Sequence, residues 1–145
     1  MYVLDTNIVS LLDPRRHATG PVLVDWIKRH GSRLYLSVMT IAELESGHLK
    51  LHRKGNNKRA DEVAAIISGI LTDFGDRILP IDLATAQHLA RLGEATYQQT
   101  VAFPDLVIAA SAARHGFTVV TRNMADFAKI PVPAINPYVA LPPVP

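Results

Sequence analysis

The sequence predicts a three-layer α/β fold, with a mainly parallel central sheet flanked by helices. Two observations carry that expectation. The first is a set of short apolar runs, Tyr2-Val3-Leu4, Leu34-Tyr35-Leu36-Ser37-Val38, Arg77-Ile78-Leu79-Pro80-Ile81 and Phe117-Thr118-Val119-Val120-Thr121. They are continuous rather than alternating, as strands buried on both faces are. The second is what lies between them: stretches whose apolar residues recur at helical spacing. With 145 residues, 48% of them hydrophobic and 19% charged, the chain can build one good core. The expected organisation is one domain over residues 1–130. A proline-rich tail over 131–145 packs on it or trails from it.

Each element has a local reason. Residues 8–12 predict a short helix that ends at Asp13-Pro14, and residues 15–20 form a polar, basic loop. Pro21 suits the first turn of a helix, Val22, Leu23, Trp26 and Ile27 give that helix an apolar face, and Gly31 stops it. Thr40-Ile41-Ala42-Glu43 matches a capping box at the start of the next helix. The most basic stretch, residues 50–59, is expected as an exposed turn or a nucleic-acid contact. Residues 60–74 place Val63, Ile66, Ile67, Ile70 and Leu71 at helical spacing, with Gly75 as terminator. Pro80 puts the third strand at an edge or near a strand end. Asp82 is expected to cap a helix running to about residue 97, without a catalytic role. The helix opened by Pro104-Asp105 is apolar nearly all round, so it should be buried, and Gly116 closes it.

Composition removes several function classes. There are no cysteines, which excludes disulfides and thiolate zinc sites. No secretory signal and no apolar run of 18 residues stands out, so the expectation is a cytoplasmic protein away from membranes. A formal charge of +2 points only slightly towards a polyanionic partner.

The chemistry lies in the acids. Asp5 and Glu43 each closely follow a strand, Asp105 opens a helix, and Asp126 lies just past the strand at 117–121. Each also has a bland role: Asp5 as a helix cap, Glu43 as half of a capping box, Asp105 as a charge favoured by the helix dipole. In a parallel sheet, however, all these strand ends fall along one edge, where ligands bind. Two carboxylates about 4 Å apart repel by about 4 kcal/mol at an effective dielectric near 20. Such a cluster takes up protons or binds a cation, and all-oxygen ligands suit Mg²⁺ or Mn²⁺. The chemistry this implies is metal-assisted phosphodiester hydrolysis. Competing constellations are weaker. His48 and His52 stand four apart with only Glu45 near as a third zinc ligand. Ser37, Ser46 and Ser111 lie in no nucleophile elbow, and no glycine-rich phosphate loop is present.

Four segments together resemble the PIN-domain ribonucleases, specifically VapC toxins of the FitB-like group. They are Val3-Leu4-Asp5-Thr6-Asn7; Leu36-Ser37-Val38-Met39-Thr40-Ile41-Ala42-Glu43-Leu44 with Gly47; Asp105-Leu106-Val107-Ile108-Ala109-Ala110; and Thr121-Arg122-Asn123-Met124-Ala125-Asp126-Phe127. The resemblance implies a Rossmann-like PIN sheet and a Mg²⁺- or Mn²⁺-dependent endoribonuclease. It also implies a homodimer and a VapB-like antitoxin partner. Asp5, Glu43 and Asp105 match the family's metal-binding acids. Some relatives carry Asp where this chain has Asn123, so Asp126 is expected to supply the fourth charge. Thr6, Asn7 and Thr121 match positions that hold the acids or the scissile phosphate. Two other readings stay open. One is a PIN module that binds RNA or a partner without cutting. The other is an aspartate-based phosphatase or receiver domain, although residue 7 is Asn where the phosphatase needs Asp.

Overall fold

Tyr2, Val3 and Leu4 are all buried, and the pleat sends them to opposite sides of a sheet. In a computed structural model that describes residues 1–144, this strand, β1 (Tyr2–Leu4), is the centre of five. The others are β2 (Leu34–Ser37), β3 (Ile78–Leu79), β4 (Thr118–Val120) and β5 (Ala134–Ile135), in the order β3-β2-β1-β4-β5. Every neighbouring pair is parallel, with Tyr2 opposite both Leu34 and Thr118, and Leu4 opposite Val120. The chain moves outward from β1 to β2 and β3, then returns to place β4 on the other side of β1. Connections after β1 and β4 therefore diverge, which opens a crevice beyond their carboxyl ends.

Helices cover both faces: α1 (Thr6–Val9), α2 (Pro21–His30), α3 (Val38–Arg53), α4 (Asn57–Phe74), α5 (Leu83–Ala95), α6 (Phe103–His115) and α7 (Met124–Phe127). Alternate strand residues divide the core in two. Tyr2, Leu4, Leu34, Leu36 and Val120 pack with α1, α2 and Ile70 and Phe74 of α4. Val3 and Val119 pack with α6, Leu92 of α5 and Phe127 of α7. Six consecutive α6 residues, Val107 to Ala112, are buried, as its all-round apolarity predicts. Gly116 ends that helix at φ 68°, a left-handed conformation that glycine adopts without steric cost.

Several local readings are corrected. Residues 15–20 are not an open loop: Pro14–Thr19 forms 3₁₀ turns, because the Asp13 carboxylate accepts from the Arg15 amide (3.1 Å) and caps them. Val22 is 66% exposed, and Val24 takes its place on the buried face of α2. The basic turn narrows to residues 54–56, since α4 begins at Asn57. Most unexpectedly, the proline-rich segment completes the sheet. Val119 N–H donates to Pro133 O (2.9 Å) and Thr121 N–H to Ile135 O (3.0 Å). An edge strand of two residues tolerates prolines beside it, and their presence hides it from a sequence reading. Farther on, Tyr2 Oη donates to Pro143 O (2.5 Å) and Val144 packs on the core, while Pro145 lies outside the described residues.

Candidate active site

Asp5 directly follows β1 at the crevice and is only 4% exposed. Its backbone N–H extends the ladder to Val120 O (2.9 Å). Its carboxylate takes three hydrogen bonds: from Thr6 N–H (2.7 Å), Asn7 Nδ2 (2.8 Å) and Thr121 Oγ1 (2.7 Å). Thr121, the first residue after β4, is fully buried and in turn accepts from Asn123 N–H (2.9 Å). Burial pushes the Asp5 carboxyl above its ordinary range, and the three donors offset only part of that. Asp5 is indeed the N-cap of α1, but the cap bond uses just one of its oxygens.

Glu43 stands elsewhere than its local sequence suggests. The capping box does not form, because α3 starts three residues earlier. Ser37, the last residue of β2, caps it by accepting from Met39 N–H (3.2 Å), and Ser37 Oγ lies 3.0 Å from the buried Ser111 Oγ of α6. Glu43 thus falls in the second turn of α3, one turn after Thr40 and on the same side. The Thr6 hydroxyl donates to Glu43 Oε1 (2.6 Å) and lies 3.3 Å from Thr40 Oγ1.

Asp105 is in the first turn of α6 and half-buried. Its carboxyl is pushed up to about 6, first by burial and then by repulsion from Asp5, Asp126 and Glu43. Asp126, in the first turn of α7, differs. The Asn123 amide donates to its Oδ2 (2.7 Å), and Lys129 Nζ lies 3.4 Å from Oδ1. Asn123 and Lys129 hold the Asp126 carboxyl below the ordinary range.

A cavity of about 430 Å³ brings Asp5, Glu43 and Asp105 together with Thr6, Asn7 and Asn123. Thr121 sits behind it, and Asp126 is set back, reaching it through Asn123. Among the described residues, no Lys, Arg or His pairs with Asp5, Glu43 or Asp105. Three carboxylates without an ion-pair partner, one with its pKa raised by burial and then by its acidic neighbours, form a donor set that fits a hard divalent ion. As they stand, no three His, Cys, Asp or Glu side chains among the described residues are grouped closely enough to hold one ion. That still fits Mg²⁺, which uses one or two carboxylates, several waters and substrate phosphate oxygens.

Residues 2–133 match the PIN domain family. The chain belongs to that family. Among curated relatives, the toxin FitB of Neisseria gonorrhoeae is 34% identical over 142 residues, 95% of this chain and 99% of FitB. The VapC ribonuclease Y4jK of Sinorhizobium fredii is 34% identical over 144 residues, 95% of this chain and 98% of the relative. Among solved structures, FitAcB from Neisseria gonorrhoeae superposes with a TM-score of 0.81 at 33% identity, covering 95% of this chain and 99% of that one. A toxin–antitoxin complex from Klebsiella pneumoniae superposes at 0.64 with 25% identity, covering 95% and 98%.

Other candidates receive structural roles in this PIN fold. His48 Nδ1 faces Ala60 O (2.9 Å) and His52 Nδ1 faces Asn57 Oδ1 (3.1 Å), so the two histidines join α3 to α4. Sequence reasoning missed Arg122, which lines the acid cavity together with Arg16 of the basic loop. Arg122 was within sight, lying between Thr121 and Asn123 in a recognised segment. It also missed Thr40, whose apparent capping role concealed its contact with Thr6.

Proposed function

We propose that this chain is the toxin of a type II toxin–antitoxin pair, an endoribonuclease that hydrolyses RNA phosphodiester bonds with Mg²⁺ or Mn²⁺. The observation that carries it is the cavity at the switch point of a PIN sheet, where three acids stand without an ion-pair partner among the described residues. Nucleases of this family are generally metal-dependent. A divalent ion bound there supplies activation of water and neutralises charge on the phosphate. Asp5, Glu43 and Asp105 are the residues that would hold it, directly or through its bound waters. Asp5 is fixed by its three donors, so its orientation costs nothing at the moment of reaction. Thr6 aligns Glu43, and Thr121 and Asn7 align Asp5. Asp105, its carboxyl pushed up to about 6 by burial and by its acidic neighbours, is an acid whose charged form a cation's arrival would favour. Asn123 takes the fourth position as a neutral group, and Asp126 supplies its charge from behind the Asn123 amide.

The same cavity explains control by a partner. It shares Ser10, Arg16, Leu44 and Gly47 with an adjoining cavity of about 270 Å³, lined by Leu51, Val63, Ile66 and Ile70. A VapB-like antitoxin segment lying along that apolar groove would bring a basic side chain to the acids. Self-association into a homodimer belongs to the same reading. Among the described residues no helix is long and apolar enough to cross a membrane.

The deciding experiment is an RNA cleavage assay on antitoxin-free protein. Cleavage is expected with Mg²⁺ or Mn²⁺ and is expected to stop in excess EDTA. Full activity in the chelator would overturn the metal mechanism, and no cleavage under any condition would leave the non-cutting PIN module as the better reading.

A further inference from the structure

Four arginines near the acid cavity divide into two pairs. In and near the basic stretch, Arg59 is paired with Asp13 and Glu62, and Arg15 Nη2 with Glu62 (2.7 Å). Those charges are spent inside the protein. Arg16 and Arg122 are exposed, line the acid cavity and form no ion pair among the described residues, although three carboxylates share the cavity with them. Something other than the acids therefore sets where these guanidiniums rest.

Arg16 rests on a contact that leads back to Asn7, the side chain that holds Asp5; Arg122 is joined to Asn7 through its backbone and rests its guanidinium by Tyr138. Arg122 N–H donates to Asn7 Oδ1 (3.2 Å), and its guanidinium lies 5.9 Å from the centre of the Tyr138 ring, within cation–π range. Tyr138 in turn covers Gly20, where an added Cβ would stand 3.2 Å from Tyr138 Oη. Gly20 thus leaves the space that the ring uses. Arg16 Nη1 lies 3.4 Å from Ser10 Oγ, and Ser10 Oγ donates to Asn7 O (3.0 Å). Two forked cations are held beside the acids yet off them.

We propose that Arg16 and Arg122 each bind a backbone phosphate of the RNA strand whose scissile bond lies at the acids, and that Tyr138 is a positioning residue for Arg122. This rests on the ribonuclease reading above. Guanidinium forks match phosphate oxygens, and single-stranded RNA carries one such group per nucleotide. The basic turn at residues 54–56 contributes only diffuse attraction.

The test uses a labelled single-stranded RNA oligonucleotide. Its binding is measured in EDTA over a range of salt, and its cleavage in Mg²⁺. Arg16→Gln and Arg122→Gln should each weaken binding about tenfold. Each should reduce the salt slope by about 0.7 and raise KM more than it lowers kcat. Arg→Lys at either position should recover part of the slope. Tyr138→Phe keeps the ring and should retain the wild-type KM. Tyr138→Leu should raise KM in the wild type and add nothing in Arg122→Gln. If the arginines only damp repulsion among the acids, the Gln variants will need less Mg²⁺ for half-maximal rate and keep the wild-type salt slope, which overturns the proposal. Wild-type protein that neither binds nor cuts RNA removes the ribonuclease reading and this one together. Wild-type activity with unaltered Gln variants removes this one alone.

Discussion

Two buried aspartates at helix starts, Asp5 and Asp13, end with opposite shifts in proton affinity. Asp5 is 4% exposed and Asp13 is 7% exposed, and each accepts a backbone hydrogen bond as a cap. Burial raises both. At Asp13 the Arg59 guanidinium and the Arg15 amide outweigh it, and the carboxyl titrates below its ordinary range. At Asp5 only neutral donors are present, and the carboxyl stays above it. A buried acid with its own cation is finished as structure. A buried acid held by hydroxyl and amide donors alone has its position fixed and its charge uncompensated, and that combination marks a place for an incoming cation.

The largest effects should come from the same substitution at the two positions. Asp13→Asn leaves Arg59 largely buried with only Glu62 to pair with. The expected cost is about 2 kcal/mol, below that of a fully buried pair because Glu62 remains. RNA cleavage per folded molecule should persist. Asp5→Asn should do the reverse. It removes one acceptor from three converging donors but also removes a charge that burial disfavours, so stability should change by under about 1 kcal/mol. Cleavage should fall by more than the ~10–100-fold that partners of metal ligands cost. Chemical denaturation and cleavage assays on both variants check this. Equal stability losses would erase the distinction between the two sites.

The next effect concerns what holds Asp5. Thr121→Val keeps the shape and removes the hydroxyl that donates to Asp5 and accepts from Asn123 N–H. That half-buried amide then lacks its partner, and Asp5 loses one donor. A drop in cleavage of about 10–100-fold is expected, together with a higher Mg²⁺ requirement. Activity equal to wild type would show that Asp5 needs only two donors.

What could be read from the chain follows from how local each cause is. The strands at Tyr2–Leu4 and Thr118–Val120 were legible because burial on both faces leaves continuous apolar runs, and the polar residues that follow them, Asp5 and Thr121, mark the sheet edge. The placement of Glu43 near that edge was legible, but its local geometry was not. Ser37 and Thr40 are both good caps, and the choice falls to Ser37 because β2 ends there and Thr40 is drawn towards Thr6. The Asp13–Arg59 pair was illegible, since it joins residues 46 apart with no pattern between them. β5 was hidden by the prolines around it, because its two residues gain their strand identity only from β4 beside them.

The pH dependence of the metal-free protein should separate the two kinds of acid. Asp105 belongs with Asp5: its folded pKa is raised from 3.8 to about 6. A raised carboxyl contributes stability that is present below its unfolded value and lost as pH rises through the folded one. Asp13, with its lowered pKa, contributes stability above the unfolded value that is lost as pH falls through the folded one. In EDTA, stability should therefore decline from about pH 4 to above 6 through the acid cavity, and decline towards strong acid through Asp13. Mg²⁺ should remove the first decline only, since it binds the ionised acids of the folded state. Asp105→Asn should flatten the same limb without metal. Thermal melts across this range decide it, and a Mg²⁺ effect confined to the acid limb would contradict the assignment.

The smallest expected effect asks whether Asp13 needs a charge or a fork. Arg59 uses one guanidinium arm for Asp13, which ties the 3₁₀ turns after α1 to α4, and the other for Glu62 (3.1 Å) within α4. Lysine keeps the charge but is a single point, and it can satisfy Asp13 or Glu62 but not both in the same geometry. Arg59→Lys should cost about 1 kcal/mol, less than Asp13→Asn, because no buried charge is left without an opposite one. RNA cleavage and its salt dependence should match wild type, because Arg59 lies outside the acid cavity and its charge is already committed. A loss of RNA affinity in Arg59→Lys with unchanged stability would place Arg59 among the RNA contacts and return the basic stretch to the binding surface.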